Sequence, residues 1–157
     1  MAKKVKLKKT LVEMILTKAK VPHTGLALQA LDQDQDQVDR RLIYKTLALI
    51  GDKTGPLIGI VPLTAHLSEK KLAQISGNKK VSMIPQKDLE KTTGYVHGAN
   101  NPVGIRQRHA FPIYMDQIAL EEEEIIVSAG ELGRSIQLKA QDLADFVSAQ
   151  FADIKED

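Results

Sequence analysis

The run Leu42-Ile43-Tyr44-Lys45-Thr46-Leu47-Ala48-Leu49-Ile50 is dominated by β-branched, aromatic and aliphatic side chains. Gly51-Asp52-Lys53-Thr54-Gly55 follows, and then a second apolar run over 57–61. Two such runs around a short glycine-bounded link read as a β-hairpin. Lys45 interrupts the first run. Strand alternation sets it on one face with Ile43, Leu47 and Leu49, while Tyr44, Thr46 and Ala48 face the other way. An ammonium among apolar strand residues is costly unless it meets an anionic partner. Lys45 is therefore read either as a group that holds a phosphate oxygen or a developing oxyanion, or as an edge-strand lysine that discourages aggregation.

Around this hairpin the punctuation is local. Leu7, Leu11, Ile15 and Ala19 recur every four residues, with Val12 beside them, which predicts an amphipathic helix ended by Pro22. Residues 22–40 read as a polar, irregular connection. Ser68 can cap a short helix that stops at Gly77, and 81–84 reads as a strand. Pro85 at a first helical position and Gly94 beyond the end bracket another helix. Further strands are predicted near Tyr95-Val96, 111–115, 125–128 and 135–138. Leu143, Phe146, Val147 and Phe151 predict a closing helix. With no repeat and no linker, residues 1–157 read as one α+β domain, a mixed α/β chain around one mixed sheet.

The second feature is the loop Gly94-Tyr95-Val96-His97-Gly98-Ala99-Asn100-Asn101-Pro102-Val103-Gly104. Its glycines and proline suit close backbone approach to a ligand, although the same residues mark ordinary turns. It is neither a Walker loop nor a dinucleotide fingerprint. A shorter glycine segment, 128–135, follows an apolar run, and Ser128 could donate to a ligand or simply start a tight turn.

Composition excludes several chemistries. Cysteine is absent, which removes disulfides, thiolate metal sites and a cysteine nucleophile, and fits a cytoplasmic protein. Tryptophan is absent and aromatics are few, so a broad stacking platform for single strands is not expected. No apolar run approaches the roughly 20 residues that span a bilayer, so no membrane partner is expected. His23, His66, His97 and His109 lack metal-ligand spacing, and His97 reads as a surface histidine. The run Asp32-Gln33-Asp34-Gln35-Asp36 resembles the start of a calcium loop. It has Gln37 and Ile43 where such a loop needs glycine and glutamate, so it reads as solvated. No metal or cofactor is expected. Net charge is only +2, but lysines crowd the first 20 residues and 70–91, a distribution that could meet a phosphate backbone or coat solvated helices.

Several stretches together resemble one family. They are Tyr44-Lys45-Thr46-Leu47, Lys80-Val81-Ser82-Met83, Lys91-Thr92-Thr93-Gly94-Tyr95-Val96, Pro102-Val103-Gly104, Ile126-Val127-Ser128-Ala129-Gly130 and Gln141-Asp142-Leu143. Their order and spacing are similar to the YbaK/EbsC family of freestanding aminoacyl-tRNA deacylases, homologues of the editing domain of bacterial prolyl-tRNA synthetases. The resemblance covers about 42–154. It implies a barrel-like mixed sheet flanked by helices and metal-free hydrolysis, in trans, of the ester joining a wrong amino acid to tRNA. It implies Cys-tRNA(Pro) as substrate, whose own thiol attacks the ester. Lys45 would hold the tRNA 3′ end as the essential lysine, with Thr46 beside it. Gly98, Ala99, Asn100, Asn101, Pro102 and Gly104 would form the substrate loop. Ser128, Gly130 and Ser135 would form the other wall. Prolyl-tRNA synthetase is the protein partner implied. Two other readings stay open: a tRNA- or synthetase-binding module without catalysis, and a deacylase for alanine or proline.

Overall fold

The computed structural model describes residues 8–27 and 39–157. Lys3, Lys4, Lys6 and Leu7, and the acidic run from Asp32 to Asp36, lie outside the described residues. The chain begins with α1 (Leu11–Lys18), β1 (Thr24–Leu26), a single 3₁₀ turn over Arg40–Leu42, β2 (Tyr44–Gly51) and β3 (Gly55–Pro62). Next come α2 (Glu69–Ser76), β4 (Val81–Met83), α3 (Gln86–Thr93), α4 (Pro102–Arg108) and β5 (Ile113–Asp116). The last elements are α5 (Ala119–Glu122), β6 (Glu124–Ser128), β7 (Ser135–Lys139), α6 (Ala140–Val147) and β8 (Gln150–Ala152).

The strands form two sheets. One has the order β1-β7-β6 and is antiparallel throughout. The other has the order β4-β2-β3-β5-β8. Its β2 pairs antiparallel with β3 and β4, whereas β3–β5 and β5–β8 are parallel. A parallel bridge between Ile43 and Ile126 joins the two sheets. The architecture is thus the expected mixed α/β arrangement, but the strands divide into two sheets joined at that bridge where one mixed sheet was expected. The reason is that β6 and β7 pair with β1 and touch the larger sheet's chain only at Ile43.

The β2–β3 hairpin forms in the expected place. Gly55 takes φ +72° at its turn, a conformation glycine adopts without strain. Asn78 fastens the turn by accepting the amides of Lys53 (2.7 Å) and Thr54 (3.0 Å). Alternation along β2 feeds two cores. Tyr44 and Ala48 pack with Ile58 and Ile60, and with Val12, Leu16, Leu143 and Val147 of the helices. Leu49 packs on the other face with Leu57, Val61, Leu72 and Ile154. Covering both faces makes β2 a rigid platform for whatever sits on its edge.

Several local expectations are corrected. The buried stripe of α1 is Val12 and Leu16, while Leu11 is 58% exposed. The helix starts at a capping box, in which Thr10 and Glu13 bond each other's amides, and it stops at Ala19 before Pro22. Part of the supposed irregular connection is β1, which needs β7 as its template. Tyr95-Val96 is not a strand; it leads into a turn. Pro85 caps α3 from outside rather than sitting at its first position. Phe151 lies in β8, because Ser148 at φ +57° ends α6 before it. Ser68 and Gly77 bound α2 as expected.

Candidate active site

The cleft follows from an incomplete strand edge. β4 covers β2 only from Leu49 to Gly51. The ladder pairing of β6 reaches this segment only just before β2, at the parallel Ile43–Ile126 bridge. Between these two contacts the edge of β2 is open, and a cavity of about 480 Å³ fills the gap, a size usual for small-molecule sites. Tyr44, Lys45, Thr46, Leu47 and Ala48 form one wall, and His97, Gly98 and Asn100 form another. Ser128 closes the β6 side. Leu63, Met83, Ile84, Gln86 and Leu89 complete a largely apolar lining.

The loop clips onto this edge. The Asn100 Nδ2 group donates to the Thr46 carbonyl at 3.1 Å, and the Ile84 amide donates to the Ala48 carbonyl at 3.1 Å. Amide and carbonyl of one strand residue point to the same edge, so the Thr46 N–H also faces the cleft. Three buried oxygens lack a hydrogen-bond partner: Tyr44 Oη, Thr46 Oγ1 and Asn100 Oδ1. All three residues line the cavity. Unmet buried polar atoms are uncommon and costly, and their presence on residues that share one cavity suits a polar ligand.

Charge in the cleft has one sign. Lys45 is half-buried, and no carboxylate among the described residues lies within ion-pair distance of it. Burial holds its ammonium below the usual lysine range. Among the described residues, no aspartate or glutamate lines the cavity. Burial also pushes the Tyr44 phenol well above its ordinary value, with Glu122, Asp116 and Glu121 adding to the effect. Tyr44 therefore stays a neutral hydroxyl. A lone cation beside neutral donors and acceptors suits an anionic or ester ligand.

Of the sequence-predicted residues, the structure brings Lys45, Thr46, Gly98, Asn100 and Ser128 into the lining. Ala99, Asn101, Pro102, Gly104, Gly130 and Ser135 stand behind it. Asn101 is fully buried and caps α4, accepting the Gly104 amide at 2.6 Å and donating to the Ala99 carbonyl at 3.0 Å. Pro102 opens that helix, so the glycine loop is shorter than its sequence suggests. Gly130 takes φ +89° and donates its amide to Ser128 Oγ at 3.2 Å. Ser135 pairs across the β6–β7 ladder with Ser128. Gly104 is required for packing, since a Cβ there would overlap the Tyr95 ring. Gly104→Ala is expected to lower stability by about 1–3 kcal/mol, the usual cost of overpacking. Thermal melting would read this directly.

Sequence reasoning missed Tyr44, Met83, Ile84, Gln86 and Leu89 as lining residues, and it assigned His97 to the surface. His97 is exposed, yet it stands at the cleft wall. Tyr44 shares the strand parity of Thr46, a signal that was available. The others come together only through tertiary contacts.

A cationic cleft on an open strand edge, gripped by a glycine-bearing loop, is the site of a small-ligand or ester-handling domain. Residues 27–146 match the aminoacyl-tRNA editing domain family. Over 117 residues the chain is 43% identical to the proposed Cys-tRNA(Pro)/Cys-tRNA(Cys) deacylase EbsC of Enterococcus faecalis, covering 74% of this chain and 70% of that protein. The chain belongs to the aminoacyl-tRNA editing domain family. Its fold is shared with the crystal structure of a proposed trans-editing enzyme for prolyl-tRNA synthetase: TM-score 0.78, 22% identity, 93% of this chain and 95% of that one. A solved hypothetical protein is similar as well, with TM-score 0.81, 19% identity, and coverage of 92% of this chain and 99% of that one.

Proposed function

We propose that this protein cleaves the ester between a wrongly attached amino acid and tRNA, acting in trans, with Cys-tRNA(Pro) as its substrate. The observation that carries the reading is a cavity on the open edge of β2 lined by Lys45, which forms no ion pair among the described residues, and by Thr46 and Asn100, each with an unpartnered buried oxygen. Lys45 would hold a phosphate or ribose oxygen of the tRNA 3′ end. The apolar lining and the Gly98–Asn100 wall would receive the small amino acid. An aminoacyl ester is already activated, so positioning can carry much of the barrier reduction. Backbone donors such as the cleft-facing Thr46 amide can stabilise the oxyanion of the tetrahedral intermediate.

With cysteine, the substrate thiol attacks its own carbonyl carbon. The ribose oxygen leaves with the proton, and a cyclic thioester is released for hydrolysis. The name of the Enterococcus faecalis relative supports this substrate. The cleft has room for the aminoacyl end only, so tRNA choice falls to contacts outside it, and prolyl-tRNA synthetase is the partner this reading expects. Reaction in the cytoplasm, where tRNA is charged, goes with it.

The test is hydrolysis of Cys-, Ala- and Pro-charged tRNA(Pro) by the purified protein. Rapid loss of the cysteinyl ester alone is expected. Faster loss of alanine or proline would replace the substrate, and no loss of any would remove the deacylase reading.

A further inference from the structure

We propose that Asn100 reads the α-amino group of the esterified amino acid. This rests on the deacylase reading and adds the contact that fixes the amino-acid end. The Thr46 carbonyl can only accept, so the amide nitrogen of Asn100 must face it. Its Oδ1 is thereby turned away from β2. That oxygen is buried without a partner, in a residue 7% exposed that lines the cleft. Thr46 Oγ1, on the strand to which Asn100 is bonded, is a second unpartnered buried oxygen of a lining residue.

An acceptor in this state calls for a donor from the ligand. The ester and phosphate oxygens of an aminoacyl-tRNA only accept, and they fall to Lys45. Apart from the adenine amino group, which stays with the tRNA end, its strong donors are the ribose hydroxyls and the α-amino group. Lys45 is half-buried and Asn100 buried, so the tRNA end stays toward Lys45 and the amino acid lies deeper, against Asn100. The neutral amide oxygen then accepts an α-N–H, and the Thr46 hydroxyl oxygen can take another. Among the described residues, no carboxylate lines the cleft to recruit free cations. A consequence follows for selectivity. Esters whose nitrogen is acylated, peptidyl-tRNA among them, keep one neutral N–H and lose the charge-assisted bond, so they are held more weakly.

The experiment is a binding measurement with uncleavable analogues. An acceptor-stem minihelix ending in 3′-cysteinylamino-3′-deoxyadenosine is compared with its 3-mercaptopropionyl counterpart, which lacks only the α-amino group. Wild-type protein is expected to prefer the amino form by roughly 10- to 100-fold, the size of an unmet buried acceptor. Asn100→Ala should bring that ratio close to one, the comparison being made within each variant between the two acylated analogues. Asn100→Ser is made alongside, so that a misfolded alanine variant leaves a ratio to measure. Equal wild-type affinity for the two analogues, or a ratio that persists in both variants, overturns the proposal. Neither result touches the deacylase reading, which stands or falls on hydrolysis.

Discussion

Lys45→Ala is expected to abolish hydrolysis of Cys-tRNA(Pro) while leaving the fold intact. A charge-assisted hydrogen bond contributes about 1.5–3 kcal/mol, and more when water is excluded around it. The drop in kcat/KM should therefore be at least ~10-fold, and beyond ~100-fold in a cleft that excludes water. Stability should change little, because Lys45 forms no ion pair among the described residues and its neighbours disfavour its charge. Its sign can be read against pH. A lysine whose folded pKa is lowered binds its proton more weakly in the folded state, so stability rises as pH climbs through the lowered value toward the ordinary one of about 10.4. The alanine variant lacks that alkaline rise. Parallel hydrolysis and melting assays across pH separate the two effects. Turnover at the wild-type rate would take Lys45 out of the site.

The legible parts of this fold were those with short-range causes. The β2–β3 hairpin carries its own turn residues, and α2 carries Ser68 and Gly77 at its ends. The stripe chosen for α1 failed because Leu11 and Ile15 matched the helical period as well as Val12 and Leu16 did. Only the surface presented by the rest of the chain selects between the two sets. The three-residue strands β1 and β8 have little propensity of their own and exist because β7 and β5 offer edges to pair with. The site divides in the same way. Lys45 and Thr46 could be found on one strand, and Asn100 in one loop. The cleft itself arises where β6 departs from β2 after Ile126, a contact between residues 83 positions apart (126 − 43) that no local pattern encodes. Asn101 and Gly104 looked like ligand-facing loop residues because capping and close packing select the same residue types.

Arg134→Ala is expected to cause a large loss of stability. The Nη2 group of Arg134 donates to Glu13 Oε1 at 2.7 Å, and its Nη1 group donates to the Lys8 carbonyl at 2.6 Å. The two side chains are only 14% and 7% exposed. Glu13 is enclosed further by Gly25, where any Cβ would collide with its Oε2, and its Oε1 also accepts the Thr10 amide. Removing the guanidinium leaves a buried carboxylate uncompensated, which costs about 3–5 kcal/mol. For a chain of this size that is a fall of roughly 6–20 °C in Tm. Adding Glu13→Gln to Arg134→Ala should restore part of the loss, since it removes the stranded charge and keeps an oxygen for the Thr10 amide. A single-variant loss below about 1 kcal/mol would instead class the pair with solvated surface bridges. The pair also ties α1 to the turn that carries Ser128 and Gly130, with Val12 and Asn101 both near Gly130. One wall of the cleft therefore depends on an ion pair outside it, and turnover in the double variant should recover together with Tm.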